Sequence, residues 1–518
     1  MNGFARSRPL AAALALLLGA CARPGGGEPH VLRIADNVDP ASLNPLLAHD
    51  QDTIGYDLLV TQTLVGLDAR NRLVPVLIER LPTRANGGIS PDGTRIVYHL
   101  RRGVRFADGV PLTSADVAFT YRAILDPRNP VESQDAYRRI AALQTPDAHT
   151  VVIRLRKPWN AAVAELFAQA DFAFGILPKH AFASTDVTRG AWNQHPFGTG
   201  PFRVVEWSRG NRIVLDRNPY FRPRPRLRRT IFALIPSVES SLVELRSGEV
   251  DVAEAGAAQI PSLQGLAGIR LAVTPVNGEY MLLLQTAAGP TADVHLRRAI
   301  AAAVDAQELV RGRYGTLSAA DSFLPPLFAW HDPDPAATRA NLARAKRELA
   351  LARWKKGERL TLDYTPERGT WMETLLQAQL RRAGIGVDLK PFPPAIFNGP
   401  SGPLRSGRFE IALAQWIGGA DPEQSVITAC SQRGPNGNNS PNYCNPRFDA
   451  LFEDQATTGD PRRRGRDFVE MQRIVRADVP LVPLAFESNV DAIDRRASGF
   501  ERNMLLYPVD APRWDARP

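Results

Sequence analysis

The second half of the chain contains a strand, a helix and another strand in direct succession, and this unit constrains the fold more than any other segment. Residues 360–364 and 385–389 alternate apolar and polar side chains, which is typical of strands. Between them, residues 371–383 carry leucines at helical spacing, and Gly384 follows as a C-terminal cap. Such a unit predicts a parallel or mixed sheet covered by helices.

Further strands and helices are predicted on both sides of this unit. Residues 293–314 and 342–352 repeat apolar side chains at helical spacing and are predicted helices. Thr113 and Asp116 have the spacing of a capping pair at the start of another helix. Three segments of the first half alternate and are predicted strands: residues 94–100, 150–155 and 211–216. The first half is therefore richer in strands than the second.

The length and composition are those of a globular protein with more than one lobe. The 518 residues exceed a typical domain of about 100–200 residues. The chain is 44% hydrophobic and 23% charged, which excludes a disordered protein. Its net charge of +9 comes from residues spread along the chain, and the densest basic run, residues 222–229, is broken by prolines. We interpret this run as a solvated loop that could lie near anionic lipid headgroups, and we predict no nucleic-acid partner.

The N-terminus has the pattern of a secretory signal. Arg6 and Arg8 precede an apolar run at residues 10–18, which is about half the length of a membrane span. Residues 18–21, Leu-Gly-Ala-Cys, are similar to the lipobox of bacterial lipoproteins, where the cysteine is acylated and becomes the new N-terminus. The pattern predicts export and lipid anchoring. An ordinary signal peptide with a chance cysteine is the alternative.

The three cysteines are predicted to have two different roles. Cys21 would carry the lipid at the junction between a signal peptide, residues 1–20, and a flexible tether, residues 21–30. Cys430 and Cys444 then remain as an even pair in an oxidising compartment, which favours a disulfide. Closing a loop of this length would contribute about 3 kcal/mol. A zinc site is the rival interpretation, but two cysteines without further ligands cannot complete it.

Sequence motifs of common catalytic sites are absent from the chain. It contains no G-x-S-x-G, no G-x-x-x-x-G-K-[ST], no H-E-x-x-H and no G-x-G-x-x-G. The eight histidines are scattered. We therefore predict no catalytic residue, no metal site and no cofactor. A carboxylate pair for glycoside hydrolysis stays open, because the separation of such groups is set in space.

A series of short segments in order along the chain carries a resemblance to a known family. They include Leu-Asn-Pro-Leu at residues 43–46, the long block at 90–117, Gly-Thr-Gly-Pro-Phe at 198–202, and the segments at 64–67, 217–221, 245–251, 297–305 and 478–484. The chain resembles the family-5 extracytoplasmic solute-binding proteins, the group of dipeptide-, oligopeptide- and nickel-binding receptors of ABC importers. This resemblance implies a receptor that delivers a solute to a membrane permease and is not an enzyme.

The resemblance also implies the architecture. It predicts an α/β, two-lobed periplasmic-binding-protein fold, class II-like, with an extra subdomain in lobe I and mixed sheets covered by helices. Lobe I would comprise residues 31–274, with the extra subdomain near residues 50–195. Lobe II would comprise residues 275–486, and residues 487–518 would return to lobe I. The chain would then cross between the lobes at these two boundaries.

The resemblance places the ligand beside a lobe-II tryptophan. The predicted ligand-binding residues are Gln415, Trp416, Ile417, Gly419 and Asp421. Trp416 offers a wide apolar face with one donor, although a buried core tryptophan is the alternative. Peptide binders of the family have the pattern W-x-x-D, whose Asp holds the ammonium of the ligand, and here that position is Gly419. Either Asp421 substitutes for that Asp, or the ligand has no free amine there.

The motifs and the departure at Gly419 leave three functions open. The first is a substrate-binding lipoprotein for a peptide or peptide-like solute. The second is a receptor for an oligosaccharide, an opine-like compound or a metal chelate. The third is an exported hydrolase on a binding-protein fold. The predicted partners are the solute, the importer's permease subunits and, through the lipid, a membrane; the predicted location is the periplasm or cell envelope, as a monomer.

Overall fold

The computed structural model describes nearly all of the chain after the predicted leader. The described residues are 28–47, 51–131, 133–170, 173–313, 315–366, 371–399, 401–422, 427–434 and 437–517. Cys21, the predicted signal peptide and most of the predicted tether lie outside the described residues.

Strands and helices alternate along much of the chain. The strands are β1 (Val31–Asp36), β2 (Val65–Leu67), β3 (Leu73–Pro75), β4 (Arg95–His99), β5 (Ile140–Asp147), β6 (Thr150–Leu155), β7 (Phe202–Ser208), β8 (Arg212–Arg217), β9 (Arg229–Leu234), β10 (Val252–Glu254), β11 (Ile269–Leu284), β12 (Leu317–Ala319), β13 (Arg359–Tyr364), β14 (Gly386–Pro391), β15 (Ile411–Ile417), β16 (Leu481–Asp494), β17 (Ala497–Ser498), β18 (Glu501–Arg502), β19 (Pro508–Val509) and β20 (Asp515–Ala516). The α-helices are α1 (Gln51–Val60), α2 (Ser114–Leu125), α3 (Asp135–Arg138), α4 (Ala162–Glu165), α5 (Val238–Ser247), α6 (Ile260–Leu263), α7 (Val294–Ala303), α8 (Ala306–Val310), α9 (Leu342–Leu351), α10 (Trp371–Arg382), α11 (Pro394–Phe397), α12 (Pro403–Ser406), α13 (Pro446–Thr457) and α14 (Pro461–Asp478).

One eleven-stranded sheet connects the two lobes. Its order is β14-β13-β15-β11-β16-β10-β1-β9-β8-β7, with β12 also paired to β16. The long strands β11 and β16 pair antiparallel along most of their length and take part in both halves. The strands on the β10 side form the lobe I half of the sheet, and those on the β15 side form the lobe II half. The predicted mixed α/β, two-lobed architecture is confirmed.

The pairing of β11 with β16 is irregular where the sheet passes from one lobe to the other. Pro275 pairs with Ser488 and Glu279 with Phe486, so three residues of β11 lie between these pairs opposite one residue of β16. Such a mismatch bends and twists the bulged strand. The predicted crossings near residues 274–275 and 486–488 fall beside this stretch, and the lobe boundaries themselves stay a prediction.

The strand-helix-strand unit is confirmed, whereas one helix prediction is wrong. β13 and β14 pair in parallel on either side of α10, which ends before Gly384. The helix predicted over residues 293–314 is two helices, α7 and α8. The side chain of Asp305 accepts a hydrogen bond from the Glu308 amide at 2.8 Å and caps the second helix. This cap competes with helix continuation, which is the usual preference of Asp.

A separate core lies in the first half of the chain, around the three-stranded sheet β4-β6-β5. As predicted, Ile96, Tyr98 and Leu100 point to one side and are buried there. The predicted capping pair is also present, because the Thr113 amide donates to the Asp116 carboxylate at 2.8 Å. These residues belong to a hydrophobic cluster distinct from those of the main sheet.

The Gly-Thr-Gly-Pro segment has a packing role. A Cβ on Gly198 would lie 2.4 Å from the carbonyl oxygen of Val60, and one on Gly200 would lie 2.4 Å from that of Leu59. Only residues without a side chain allow the end of α1 to approach so closely.

The predicted disulfide is present in lobe II. Cys430 and Cys444 are joined, and they bracket the loop that leads into α13. Within the described part of the chain, none of the helices is long and apolar enough to cross a membrane.

Candidate ligand-binding cleft

The parallel strands of both lobes point their carboxyl ends towards the irregular stretch of β11 and β16. In lobe I, β10 runs towards this stretch because Val252 pairs with Ile493 and Glu254 with Asp491. β1 and β9 run parallel to β10 and end at the same side. In lobe II, β15 ends beside Gly278, and β13 and β14 run parallel to it. Ligands of open α/β sheets bind outside the carboxyl ends of the strands, so this convergence marks the candidate cleft.

The lobes touch along an apolar contact beside the candidate cleft. Leu327, Phe328 and Ala420 come from the lobe II side. They pack against a buried cluster that includes Ile54 and Tyr507 from the lobe I side. The segment that follows Trp416 therefore lies at the junction of the two lobes.

Polar contacts at the hinge join three parts of the chain. The Asn277 amide nitrogen donates to the Met504 carbonyl at 3.0 Å, and its side chain donates to the Gly419 carbonyl at 2.7 Å. In return, the Gly418 amide donates to the Asn277 carbonyl at 2.8 Å. Asn277 is fully buried and holds the loop after β15 against the hinge.

A second set of polar contacts joins Asn160, in the first half of the chain, to the end of α13. The side chain of Asn160 donates to the carbonyls of Gln455 at 2.6 Å and Thr458 at 2.7 Å. Its backbone amide donates to the Ala456 carbonyl at 2.7 Å. These acceptors belong to the last turn of α13, where carbonyls lack partners within a helix. A residue of the first half of the chain thus caps a lobe II helix.

Gln415 and Trp416 lie on opposite faces of β15. Gln415 is exposed and donates to the Glu487 carboxylate of β16 at 2.6 Å. Trp416 is half-buried and packs against the apolar cluster around α13 and α14. Its indole nitrogen is buried and has no hydrogen-bond partner among the described residues. Buried indole N–H groups normally have an acceptor, so this donor is unusual.

The remaining predicted residues occupy the end of β15 and the loop that follows. Ile417 is the last residue of the strand and is half-buried. Gly419 is also half-buried and contributes its carbonyl to Asn277. The structure therefore brings Gln415, Ile417 and Gly419 together near the junction of the lobes.

Asp421 already has a cationic partner within the protein. Its carboxylate lies 2.6 Å from the guanidinium of Arg464 on α14, and both side chains are nearly buried. The same guanidinium lies over the rings of Trp330 and Phe468, at 5.2 Å and 5.4 Å from the ring centres. Arg464 thus balances the charge of Asp421 and ties the loop to the helix.

A buried carboxyl group that the sequence patterns did not single out lies opposite Trp416. Glu279 of β11 pairs with Trp416 across the ladder, so the two side chains share one face of the sheet. Glu279 is fully buried, and neither carboxylate oxygen has a hydrogen-bond partner in the described part of the chain. Burial therefore raises the pKa of Glu279 well above its usual range. The available signal was an acidic residue directly before the apolar run of residues 280–284.

The lobe I side of the cleft presents a second acid, Asp36, which is half-buried. Asp36 ends β1, and burial raises its pKa, while the Tyr56 hydroxyl and the Val38 amide lower it in part. Arg502 lies near enough to lower the pKa further. Alternation in the sequence does not predict Asp36 or Arg502 as part of a site. The two residues come together only because the C-terminal end of the chain returns to lobe I.

The described residues give no sign of a metal centre. In that part of the chain, no group of three or more His, Cys, Asp or Glu side chains is arranged to hold an ion.

Comparison with known proteins agrees with this architecture. The model of the bacterial extracellular solute-binding proteins, family 5 (middle), matches residues 72–438. The chain is 28% identical to the probable D,D-dipeptide-binding periplasmic protein DdpA of Escherichia coli, over 81% of each chain.

Solved structures share the same fold. The ABC transporter substrate-binding protein CtaP of Listeria monocytogenes superimposes with a TM-score of 0.83 at 24% identity, covering 95% of this chain and 99% of that one. DppA of Helicobacter pylori, in complex with the peptide STSA, gives 0.76 at 22% identity, covering 94% and 98%. The family match extends over more than half of the sequence, and the two-lobed sheet is shared with these structures. The chain belongs to the family 5 bacterial extracellular solute-binding proteins.

Proposed function

We propose that this protein is the substrate-binding lipoprotein of an ABC importer, and that it captures a peptide or peptide-like solute between its lobes. It delivers the solute to the permease subunits and performs no catalysis on it. It acts as a monomer in the periplasm or cell envelope, anchored by lipid on Cys21. The observation that carries the proposal is the convergence of strand ends from both lobes on one hinge, in a chain of this family. Relatives named as peptide binders support the class of solute.

Closure of the cleft explains how such a protein distinguishes its loaded from its empty form. A solute shifts the equilibrium towards the closed form only through contacts that the open form lacks. The contacts seen here, from Asn160 to α13 and from Ala420 to the lobe I cluster, supply part of the closing energy without a ligand. The solute supplies the remainder, and exclusion of water strengthens its polar contacts.

The lobe II wall of the cleft consists of Gln415, Trp416, Ile417, Gly419 and Asp421. Trp416 gives an apolar face, and its N–H can donate to a carbonyl of the solute. Asp421 acts by holding the loop, because Arg464 already neutralises its charge. The proposal therefore does not require a free amine on the solute at that position.

The first experiment measures binding without assuming the solute. The purified protein is incubated with peptides of two to five residues, with oligosaccharides and with metal chelates, and its melting temperature is recorded. A ligand at 100 times its Kd stabilises the native state by about 2.7 kcal/mol, which a melting curve detects. Recovery of the intact peptide afterwards supports a receptor. Stabilisation by sugars or chelates alone would replace the peptide proposal, and steady release of products would show a hydrolase.

The second experiment tests the position of the site. Trp416→Ala is compared with Trp354→Ala, which removes another half-buried tryptophan of lobe II that packs in a different cluster. We expect Trp416→Ala to weaken solute binding by about tenfold or more, as for an aromatic anchor, and Trp354→Ala to leave the Kd unchanged. Equal effects of both changes would place the site elsewhere.

The third experiment tests the anchor. Mass spectrometry of the wild-type protein from membranes should show an acylated N-terminal peptide that begins with Cys21. In the Cys21→Ser variant, mass spectrometry should find no acylated N-terminal peptide. An unmodified wild-type protein would contradict the lipoprotein part of the proposal while leaving the receptor part intact.

A further inference from the structure

A basic depression lies on the lobe I edge of the molecule, away from the hinge. It has a volume of about 380 Å³ and is formed by the ends of β7 and β8 and by the loop that leads to β9. Its lining residues are Arg203, Asp216, Arg217, Pro219, Arg222, Arg224 and Arg228. This loop is the proline-broken basic run of residues 222–229, which the proposed function does not use.

The positive charge of this depression is poorly compensated by acids. Asp216 is paired with Arg229 at 2.6 Å, and Glu28 is paired with Arg228 at 2.5 Å. The Arg217 guanidinium donates to the backbone carbonyls of Leu227 and Arg226, both at 2.7 Å, and in the described part of the chain it has no acidic partner. Burial lowers the pKa of Arg217, and the nearby cations Arg224 and Arg228 lower it further. Cations crowded in this way favour a multivalent anion, such as a set of phosphate groups.

An apolar tip adjoins the basic depression. The Tyr220 side chain is 43% exposed although it is large and aromatic, and Val110 is 38% exposed. The two lie together, because the Tyr220 ring is 3.0 Å from the position of a Cβ on Gly109. Tyrosine with its apolar body and polar tip is suited to the boundary between water and lipid. Basic side chains beside such a tip are typical of surfaces that bind anionic membranes.

The chain enters the folded body at the same place. Glu28 pairs with Arg228, and the Arg228 amide donates to the His30 carbonyl at 2.8 Å. Six residues lie between Cys21 and Glu28, which makes seven Cα-to-Cα steps. A chain of that length spans at most about 25 Å. A lipid on Cys21 would therefore hold this edge of lobe I within that distance of the headgroups.

We propose that this surface, Arg203, Arg217, Arg222, Arg224 and Arg228 with Tyr220 and Val110, binds the headgroups of anionic phospholipids. The guanidinium groups contact lipid phosphates, and the apolar tip enters the boundary of the bilayer. The argument from chain length rests on the proposed anchor. The affinity of the surface for lipid does not, so the two can fail separately. Such contact would fix how the body is oriented on the membrane, beyond simple tethering.

The test uses the full chain carrying Cys21→Ser, so that no acyl chain contributes. Its binding is measured by co-sedimentation with phosphatidylcholine vesicles and with vesicles containing phosphatidylglycerol. The leader carries Arg6 and Arg8 and is the same in every variant, so the readout is the change in the ratio of the two affinities from the parent to each variant. The variant Arg203→Gln/Arg222→Gln/Arg224→Gln removes three exposed charges of the surface. The matched control, Arg344→Gln/Lys346→Gln/Arg347→Gln, removes three exposed charges on α9 of lobe II.

We expect the unmodified surface to prefer anionic vesicles and to lose this preference as salt rises. The surface variant should reduce the ratio by about tenfold or more, since each basic residue near a membrane contributes about a factor of five. The α9 control should leave the ratio nearly unchanged. Tyr220→Ser should weaken binding to anionic vesicles without changing its salt dependence. All variants should keep the melting temperature and solute affinity of the parent protein.

Two results would overturn the proposal. Equal losses from the surface variant and the α9 control would show a general effect of net charge. A ratio near one for the parent chain would show no preference for anionic lipid. If calorimetry detects binding of inorganic phosphate while the parent chain shows no preference for anionic vesicles, the second result holds. The surface would then be a site for a soluble anion.

Discussion

The two halves of the sheet treat their buried acids in opposite ways. In the lobe I half, Asp251 accepts from the Arg496 guanidinium at 2.5 Å and from the Arg33 amide at 2.7 Å. Asp491 on β16 lies 3.3 Å from Arg502. At the start of the lobe II half, Glu279 is fully buried without any such partner in the described residues.

This difference separates acids that stabilise the fold from one that destabilises it. Paired and hydrogen-bonded acids fix the geometry of a sheet, although their net stabilisation is modest. An unpaired buried acid costs stability, and such costs are retained mainly at sites of function. Glu279 lies opposite Trp416, whose N–H also lacks a partner in the described chain. The part of the sheet around Glu279 and Trp416 therefore carries a cost in stability, as expected of a functional site.

The largest effect is expected from breaking a pair in lobe I. Arg496→Met leaves Asp251 buried without its cation, which should lower the free energy of unfolding by about 3–5 kcal/mol. Urea unfolding followed by circular dichroism measures this loss. Asp251→Asn combined with Arg496→Met should recover part of it. A loss below 1 kcal/mol would show that lobe I does not depend on the pairing of its acids.

The disulfide gives lobe II a constraint of similar size. Removing the bond between Cys430 and Cys444 with a double serine variant should cost about 3 kcal/mol, by enlarging the entropy of the unfolded chain. Differential scanning calorimetry should show the same shift for the wild type under reducing conditions. If reduction shifts the wild type but the serine variant melts normally, the loss comes from thiol chemistry and not from loop closure.

Glu279→Gln tests the destabilising acid. Burial raises the pKa of Glu279, so the folded state favours the protonated form. The contribution of this group to stability is fully present below the unfolded pKa of about 4.3 and is lost as the pH rises through the folded pKa. The variant should thus gain about 1–3 kcal/mol at pH 8 and almost nothing at pH 4.

The measurement is a pair of urea titrations at each of several pH values. The exposed Glu249→Gln serves as the control and should follow the wild type throughout. A gain for Glu279→Gln that does not depend on pH would mean that the carboxyl is neutral or partnered over the whole range.

The smallest effect is expected at the contact between Asn160 and the end of α13. Asn160→Ala removes two hydrogen bonds to carbonyls of α13, worth about 1–2 kcal/mol in the closed form. Solute affinity should fall by about 5- to 30-fold while the melting temperature without solute stays constant. Asn211→Ala, at an exposed position with no side-chain role of this kind, should change neither value. A fall in the melting temperature without solute that accounts for the loss of affinity would show that Asn160 acts in folding only.

Local patterns predicted much of the sheet. The alternation at residues 94–100 and the unit of β13, α10 and β14 could be predicted because side-chain period and turn residues act over a few positions. The prediction of one helix over residues 293–314 was wrong. Asp305 does not interrupt the helical spacing of the apolar residues around it, and it marks the break only because its side chain caps α8. Capping geometry is decided by one hydrogen bond, which periodicity does not contain.

The candidate site could be predicted less well from the sequence than the sheet could. Arg464 neutralises Asp421 from 43 residues away, and no local pattern joins them. Glu279 stands at the edge of an apolar strand, and its significance follows only from the strands that bury it. The assignment of Gln415, Trp416, Ile417, Gly419 and Asp421 to ligand binding stays a prediction, since position near the hinge is compatible with it and does not measure binding.

The return of the chain to lobe I has a consequence for the order in which the lobes fold. Trp514 is fully buried in the lobe I core, and β10 pairs with β16, so the first lobe is assembled partly from the last residues. Lobe I therefore cannot reach its native state until almost the whole chain has left the ribosome. A polypeptide that stops short of these residues lacks a strand partner of β10 and one of the large side chains of the lobe I core, so this lobe is completed last although it begins first.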